Sequence, residues 1–356
     1  MILNYLGSKA RFMPILNTVI EPIIQNAYKA KGGPIVFGDL FAGTGFISNY
    51  YKTHPCIDTL VSTDLELYSY VLNSALLKTV CSDKMLKIIA MFNSDHLKPV
   101  KGLIWKHFSP AGGRMFYTEE NAMRIDAVRI CISRLQKSGK INYKESLFLL
   151  GSLLCACSRS ANSTACFRAY LKVFCPRSLK RIVIIPVHKS NIRIRKKVAT
   201  HKEDSINIAG KFDYDVVYLD PPYNANHYGS YYSFYNYLMV YQDSYKISGV
   251  AGVTSTYNKS DFGFKVTAKA TLMRLIENLK TCGTIIMSYN SDGALKKDEI
   301  FDCLKLHGDV TLYKTLNKKF KTNEMVKKSS VVEYIFVRAI SDTQLLNEYW
   351  IRGSAP

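Results

Sequence analysis

The sequence lacks any C-x-x-C pair, although it carries nine cysteines. Cys155 and Cys157 stand too close for the usual zinc spacing, and Cys166 and Cys175 have no histidines at ligand spacing, so no metal site is expected. An odd number of cysteines in 356 residues reads as reduced, mostly buried thiols of a cytoplasmic protein. The first residues, MILNYLGSKARFMPIL, lack a charged region followed by an apolar core, so no secretory leader is expected. The longest apolar run, residues 147–156, is too short to span a bilayer, and no membrane partner is expected. There is neither an internal repeat nor a low-complexity linker. Acidic residues are scarce: 28 Asp and Glu face 48 Lys and Arg, a formal net charge of +20. With no block of repeated lysines, that excess implies a folded protein with a polyanionic partner, most simply nucleic acid.

What is present begins with alternating elements. Residues 34–40 (PIVFGDL) read as a buried strand, and FAGTGFISNYYK follows as a glycine turn opening a helix. Residues 60–64 (LVSTD) read as a second strand, with a helix from about 66 to 79. This is the β-α-β-α pattern of a doubly wound parallel sheet. From about 84 to 181 the pattern is mainly helical, as in ENAMRIDAVRICISRL and KESLFLLGSLLCAC. Alternation resumes with DVVYLD, TLMRLIENL, CGTIIMSYN and SVVEYIFVRA. The sheet is therefore expected from two separated parts of the chain, residues 1–83 and 200–345. Residues 84–199 form an inserted module between them.

The glycine turn sits just after Asp39, with Gly43 and Gly45 permitting positive φ and close approach of a ligand to the backbone. The dinucleotide pattern G-x-G-x-x-G fails because Ser48 replaces the third glycine, and no Gly-Lys-Ser/Thr follows to make a P-loop. Asp39 would repel a phosphate. It suits a ligand carrying an ammonium or sulfonium group, as S-adenosylmethionine does. Asp64 ends the next strand, where an acid can accept both hydroxyls of a ribose. Asp204, before the DVVYLD strand, is placed to accept from the amino group of an adenine. An ordinary tight βα turn is the plainer reading of the glycines alone.

The strand VVYL runs into Asp220, Pro221, Pro222 and Tyr223. An exocyclic amino group on a nucleobase is a poor nucleophile, because its lone pair is delocalised into the ring. Two acceptors in the plane of its hydrogens, the Asp220 carboxylate and the Pro221 carbonyl, polarise it. Both bind more strongly as the nitrogen becomes tetrahedral and positive. The prolines fix φ and so restrict that carbonyl, while Tyr223 offers a face on which a base can stack. A base in a duplex reaches such a pocket only by flipping out, at a cost of a few kcal/mol, about what stacking and hydrogen bonds can offset. The tyrosines that follow, Tyr228, Tyr231 and Tyr232, suit either a closing loop or an aromatic helix in the core, the later ones favouring the core.

Between Arg177 and Lys202 there are nine Lys or Arg and no acid. RIVIIPV and NIRIRKK read as two strands joined by HKSN. In the second, Ile192 and Ile194 alternate with Arg193 and Arg195, so one face packs while Arg193, Arg195, Lys196 and Lys197 face DNA. A solvated edge strand guarded by charge gives the same pattern.

These motifs in this order resemble the Dam-like, alpha-ordered adenine-N6-specific DNA methyltransferases of bacterial restriction-modification systems. The likeness rests on NYLGSK (4–9), DLFAGTG (39–45), Asp64, Asp204, DPPY (220–223), SYNSDG (288–293) and VVEYIFV (331–337). In the middle region, RMFYTEENAMRID (114–126) and SANSTACFRAYLK (160–172) resemble segments of a subgroup. The resemblance implies a Rossmann-like methyltransferase sheet with an inserted, mostly helical target-recognition module. It implies S-adenosylmethionine as cofactor, with Tyr5 and Lys9 near its methionine end and Phe41, Gly43 and Gly45 lining its pocket. It further implies duplex DNA as substrate and a cognate restriction endonuclease as a possible partner. Cytosine N4, an RNA base or a protein glutamine are the rival acceptors, and a catalytically silent DNA-binding protein is the rival outside enzymes. Asp220 leans toward adenine, because cytosine-N4 enzymes more often begin this motif with Ser and glutamine enzymes with Asn.

Overall fold

The computed structural model describes residue 3 and residues 9–164, 166–190, 196–224, 228–255, 257–318, 330–341 and 346–351. Strands form where β-branched and aromatic residues run together. They are β1 (Ile35–Asp39), β2 (Ile57–Asp64), β3 (Lys197–Lys202) and β4 (Val216–Leu219), then a small hairpin of β5 (Ile247–Ser248) and β6 (Val253–Thr254). β7 (Thr284–Asn290), β8 (Asp309–Lys318), β9 (Ser330–Ala339) and β10 (Leu346–Trp350) follow. Eight of these pair into one sheet in the order β10-β8-β9-β7-β4-β1-β2-β3. From β3 to β7 all neighbours are parallel, and β9 runs antiparallel to both β7 and β8. The chain works outward from β1 to β3 and then returns to lay β4 on the other side of β1. That reversal opens a crevice at the carboxyl ends of β1 and β4, where open α/β sheets bind ligands.

Helices cover both faces. The first three are α1 (Met13–Lys31), α2 (Phe46–Tyr51) and α3 (Leu67–Lys78). An inserted block holds α4 (Asp83–Asn93), α5 (Leu103–Phe108), α6 (Glu119–Lys137), α7 (Tyr143–Ser160) and α8 (Pro176–Leu179). The second half adds α9 (Ser205–Ala209), α10 (Tyr228–Tyr231), α11 (Ser233–Val240), α12 (Ala268–Asn278) and α13 (Lys297–Leu304). Alternation along β4 divides the core in two. Val216 and Tyr218 pack with α1, α3, α7 and α11, while Val217 and Leu219 pack with α9, α12 and α13. This is the doubly wound α/β architecture expected from the sequence. Among the described residues no helix is long and apolar enough to cross a membrane.

The inserted block shares the first of these cores. On α7, a Cβ at Gly151 would lie 2.8 Å from the Ala75 Cβ of α3, so the glycine lets the two helices touch. Arg129 of α6 is buried and donates to the carbonyls of Leu238 and Met239 at the end of α11, each at 2.8 Å. Those bonds satisfy a guanidinium that would otherwise be costly to bury. Asp126 accepts from the Tyr241 hydroxyl at 2.6 Å and from the amides of Ile104 and Trp105.

The basic stretch differs from expectation. RIVIIPV is extended and alternating, with Ile182 and Ile184 buried and Val183 and Ile185 exposed, yet it belongs to no sheet. Side chains play the neighbouring strand. Asn93 both accepts from the Ile184 amide and donates to its carbonyl at 2.8 Å, and Asn121 accepts from the Ile182 amide at 2.8 Å. Lys197 opens β3, which is part of the main sheet, so the inserted block ends before it. Arg193 and Arg195 lie outside the described residues.

Candidate active site

Three chain segments converge at the carboxyl ends of β1, β2 and β4. After β1 the chain turns at Gly43 (φ +50°) and Gly45 (φ +73°) before α2 begins. A side chain at Gly45 would put its Cβ 2.4 Å from Asn73 Oδ1, so both the conformation and the space require glycine. The Gly43 amide donates to Asp64 Oδ2 at 2.7 Å, and the Glu66 amide to Asp64 Oδ1 at 2.9 Å. The turn and the end of β2 are thus one unit.

Asp39 is fully buried. Its Oδ2 accepts from the Ser48 amide (3.1 Å) and hydroxyl (2.7 Å), so the serine that breaks the dinucleotide pattern anchors this acid. Its Oδ1 has no partner among the described residues, an acceptor left open beside the cleft. Burial pushes the Asp39 carboxyl up to about 7, Asp220 and Asp64 adding to the effect. Glu66 is pushed up to about 7 by burial, against hydrogen bonding from Asn236. Asp64 is raised by burial, opposed by the backbone amides.

Asp220 follows β4 directly. Lys9 meets it in an ion pair of 2.8 Å between Nζ and Oδ1, with both side chains largely buried. Burial raises the Asp220 carboxyl and Lys9 holds it down. Pro222 lines the cleft. Tyr223 stands edge-on to Tyr289 at 6.1 Å, and its carbonyl accepts from the Ala294 amide at 2.7 Å.

The cleft has a volume of about 1010 Å³ including its open mouth. It gathers Lys9, Asp39, Phe41, Gly43, Asp64, Asp204, Asp220 and Pro222, all singled out from the sequence. Asp204 caps α9 through the Ile206 amide at 2.9 Å. Gly45, Pro221 and Tyr223 support the walls without lining them, and Tyr5 lies outside the described residues. Lys196 and Lys197 are not brought to the cleft. Lys197 pairs in register with Thr59 and Lys202 with Asp64, which puts Lys197 about 17 Å down the strand. Lys196 donates to the His54 carbonyl at that far end. Sequence reasoning passed over Glu66, Asn258 and Phe262, which also line the cleft. Glu66 carried a signal, two residues after Asp64. Asn258 and Phe262 carried none, and Phe262 meets Phe41 edge-on at 5.1 Å. Tyr228 lines the cleft while Tyr232 is buried in the core.

Near the mouth, the segment after α7 docks on α10. The Phe167 amide donates to the Tyr231 carbonyl at 2.8 Å, and its ring stacks on Phe234 at 4.5 Å. Arg168 is exposed, lies over the Tyr231 ring at 5.4 Å and donates to Ser230 Oγ at 3.3 Å. Five carboxylates (Asp39, Asp64, Glu66, Asp204 and Asp220) line the cleft against one lysine. A ligand with a cationic end fits that charge, and the glycine turn leaves room for it against the backbone.

A family model described as D12 class N6 adenine-specific DNA methyltransferase matches residues 5–279. The type II methyltransferase M.CviAII of Paramecium bursaria Chlorella virus 1 is 31% identical over 338 residues, covering 94% of this chain and 97% of that protein. M.NlaIII of Neisseria lactamica is 29% identical, covering 94% and 98%. M.FokI of Planomicrobium okeanokoites is 30% identical over 94% of this chain, which spans 52% of that longer protein.

The raised Asp39 gives a prediction with a definite sign. Its folded value, about 7, exceeds the ordinary 3.8, so its ionisation costs stability as pH rises through that window. Asp39→Asn should therefore raise Tm relative to wild type more at pH 8 than at pH 5. It should also weaken a cationic ligand by about tenfold or more. Thermal unfolding at the two pH values and titration calorimetry check both.

Proposed function

The chain belongs to the D12 class of N6 adenine-specific DNA methyltransferases, and we propose that its carboxylate-lined cleft binds S-adenosylmethionine and delivers the methyl group to an adenine flipped out of duplex DNA. The observation that carries this is the meeting of Asp220 with the open Asp39 acceptor and the glycine turn in one cleft. Asp39 and Asp64 would hold the cofactor's ammonium and ribose ends, and Asp204 its adenine. Bound there, the cofactor supplies an electrophilic methyl on a cationic sulfur.

The remaining work falls to the chain. Asp220 and the Pro221 carbonyl accept the two N6 hydrogens and so direct the lone pair at the methyl. On accepting the methyl the nitrogen would gain positive charge, which Asp220 would stabilise until the surplus N6 proton passes to solvent. This requires Asp220 as an anion in a buried place, and Lys9 supplies the opposite charge that keeps it so. Tyr223 offers the stacking face, worth about 1–3 kcal/mol per base.

For the DNA, we assign the recognition side to the inserted block from α4 to α8 and to the segment bearing Arg168, which adjoins the cleft. Lys196 and Lys197, about 17 Å down β3 from the cleft, would meet the duplex backbone away from the target base. Likeness to named type II methyltransferases supports a role in restriction-modification, in the cytoplasm, beside an endonuclease that cuts the same unmodified site.

Incubating labelled S-adenosylmethionine with unmethylated duplex DNA should put label in N6-methyladenine, read by nucleoside analysis. Asp220→Ala should bind cofactor but lose about 100-fold or more in rate, and label in another nucleoside would move the substrate. In Lys9→Met, Asp220 holds its proton to higher pH, so the acidic limb of the single-turnover rate profile should move up in pH. An equal loss at every pH from 6 to 9 would count against the counter-charge role. Arg168→Ala should weaken DNA binding and reduce the slope of log K against log salt by about one, cofactor affinity unchanged. Filter binding at several salt concentrations reads this.

A further inference from the structure

Glu66 has no part in the chemistry above, yet it is almost wholly buried, 5% exposed, in the wall of the cleft. Four chain segments meet on its carboxylate. Its own segment joins Asp64 to α3. From α11, Asn236 donates its amide to Glu66 Oε2. The orientation of that amide is fixed, because its oxygen accepts from the Tyr68 amide at 3.1 Å. From the segment before α12, Asn258 donates to the Leu65 carbonyl at 3.1 Å, next to Glu66 in the chain, and helps hold the Glu66 carboxyl down. From α10, Gly229 comes so close that a Cβ there would lie 2.8 Å from Glu66 Oε1 and 3.0 Å from the Asn258 carbonyl.

Gly229 is next to Tyr228, and Tyr228 stands close enough to Tyr223 of the Asp-Pro-Pro-Tyr turn to act on its phenol. A path of contacts thus runs from the cofactor side of the cleft to the base side. We propose that Glu66 is a positioning residue that fixes α10 and α11 against the cofactor half through Asn236 and Asn258, and so sets Tyr228 and Tyr223 for the flipped base. A carboxyl suits this place because its oxygens accept, and the Asn236 amide and the close backbone of Gly229 converge on it. The inference rests on the methyltransferase reading.

The test is a double-mutant cycle with three readouts. Glu66→Ala and Asn236→Ala are compared with the double variant for cofactor Kd by calorimetry, single-turnover methyl transfer and thermal unfolding. Each single change should slow transfer about tenfold or more with cofactor Kd within about threefold, and the double variant should lose little beyond either. Glu66→Gln keeps the size and one acceptor oxygen, so it should recover part of the rate. It also serves as the reporting variant where alanine destabilises the fold. A rise in cofactor Kd that matches the rate loss would make Glu66 a cofactor ligand and overturn the inference. Fully additive losses would overturn the coupling. An inactive wild type overturns the methyltransferase reading along with this one, whereas an active wild type with additive losses overturns this one alone.

Discussion

The molecule is organised around burying negative charge at one edge of a parallel sheet. Ionised carboxylates leave water only when donors replace it. Each acid in the cleft has its own donors: Ser48 for Asp39, two backbone amides for Asp64, Asn236 for Glu66, the Ile206 amide for Asp204 and Lys9 for Asp220. Compensation is incomplete, as the raised carboxyls show. The remaining deficit is what a cationic ligand relieves.

The same arrangement ties recognition to chemistry. The inserted block shares a core with α3 through Gly151 and with α11 through Arg129. Since α11 also carries Asn236, the helices of the inserted block and the acids of the cleft bear on one short piece of chain. That piece begins at Tyr228, five residues after Tyr223 of the Asp-Pro-Pro-Tyr turn, and a displacement on either side reaches it by direct contact.

Much of this was legible in the sequence because it is local. The strand IVFGD with its glycine turn, Asp64 at the end of β2 and DPPY after VVYL each announce themselves within a few residues, and the doubly wound order follows from their alternation. What escaped depends on distance or direction. Lys9 and Asp220 meet across most of the chain, and Asn258 and Phe262 come from a segment with no periodicity. The basic stretch was harder to place, for a physical reason. Charge composition says nothing about which end of a strand a residue occupies, and Lys197 stands at the amino end of β3, away from the cleft. In RIVIIPV the alternation was real, but alternation reports burial and not the partner, which proved to be two asparagine side chains.

That last substitution has a consequence for how such a chain diversifies. A strand inside a sheet has its length policed by its neighbours, since one residue gained or lost flips every side chain beyond it to the other face. Residues 181–187 answer instead to side chains, Asn93, Asn121, Ser152 and Asp95 among them, so an insertion or deletion there disturbs those clips and leaves the eight-stranded sheet in phase. A lineage can lengthen, shorten or re-angle this piece of the inserted block while the catalytic frame stays unchanged.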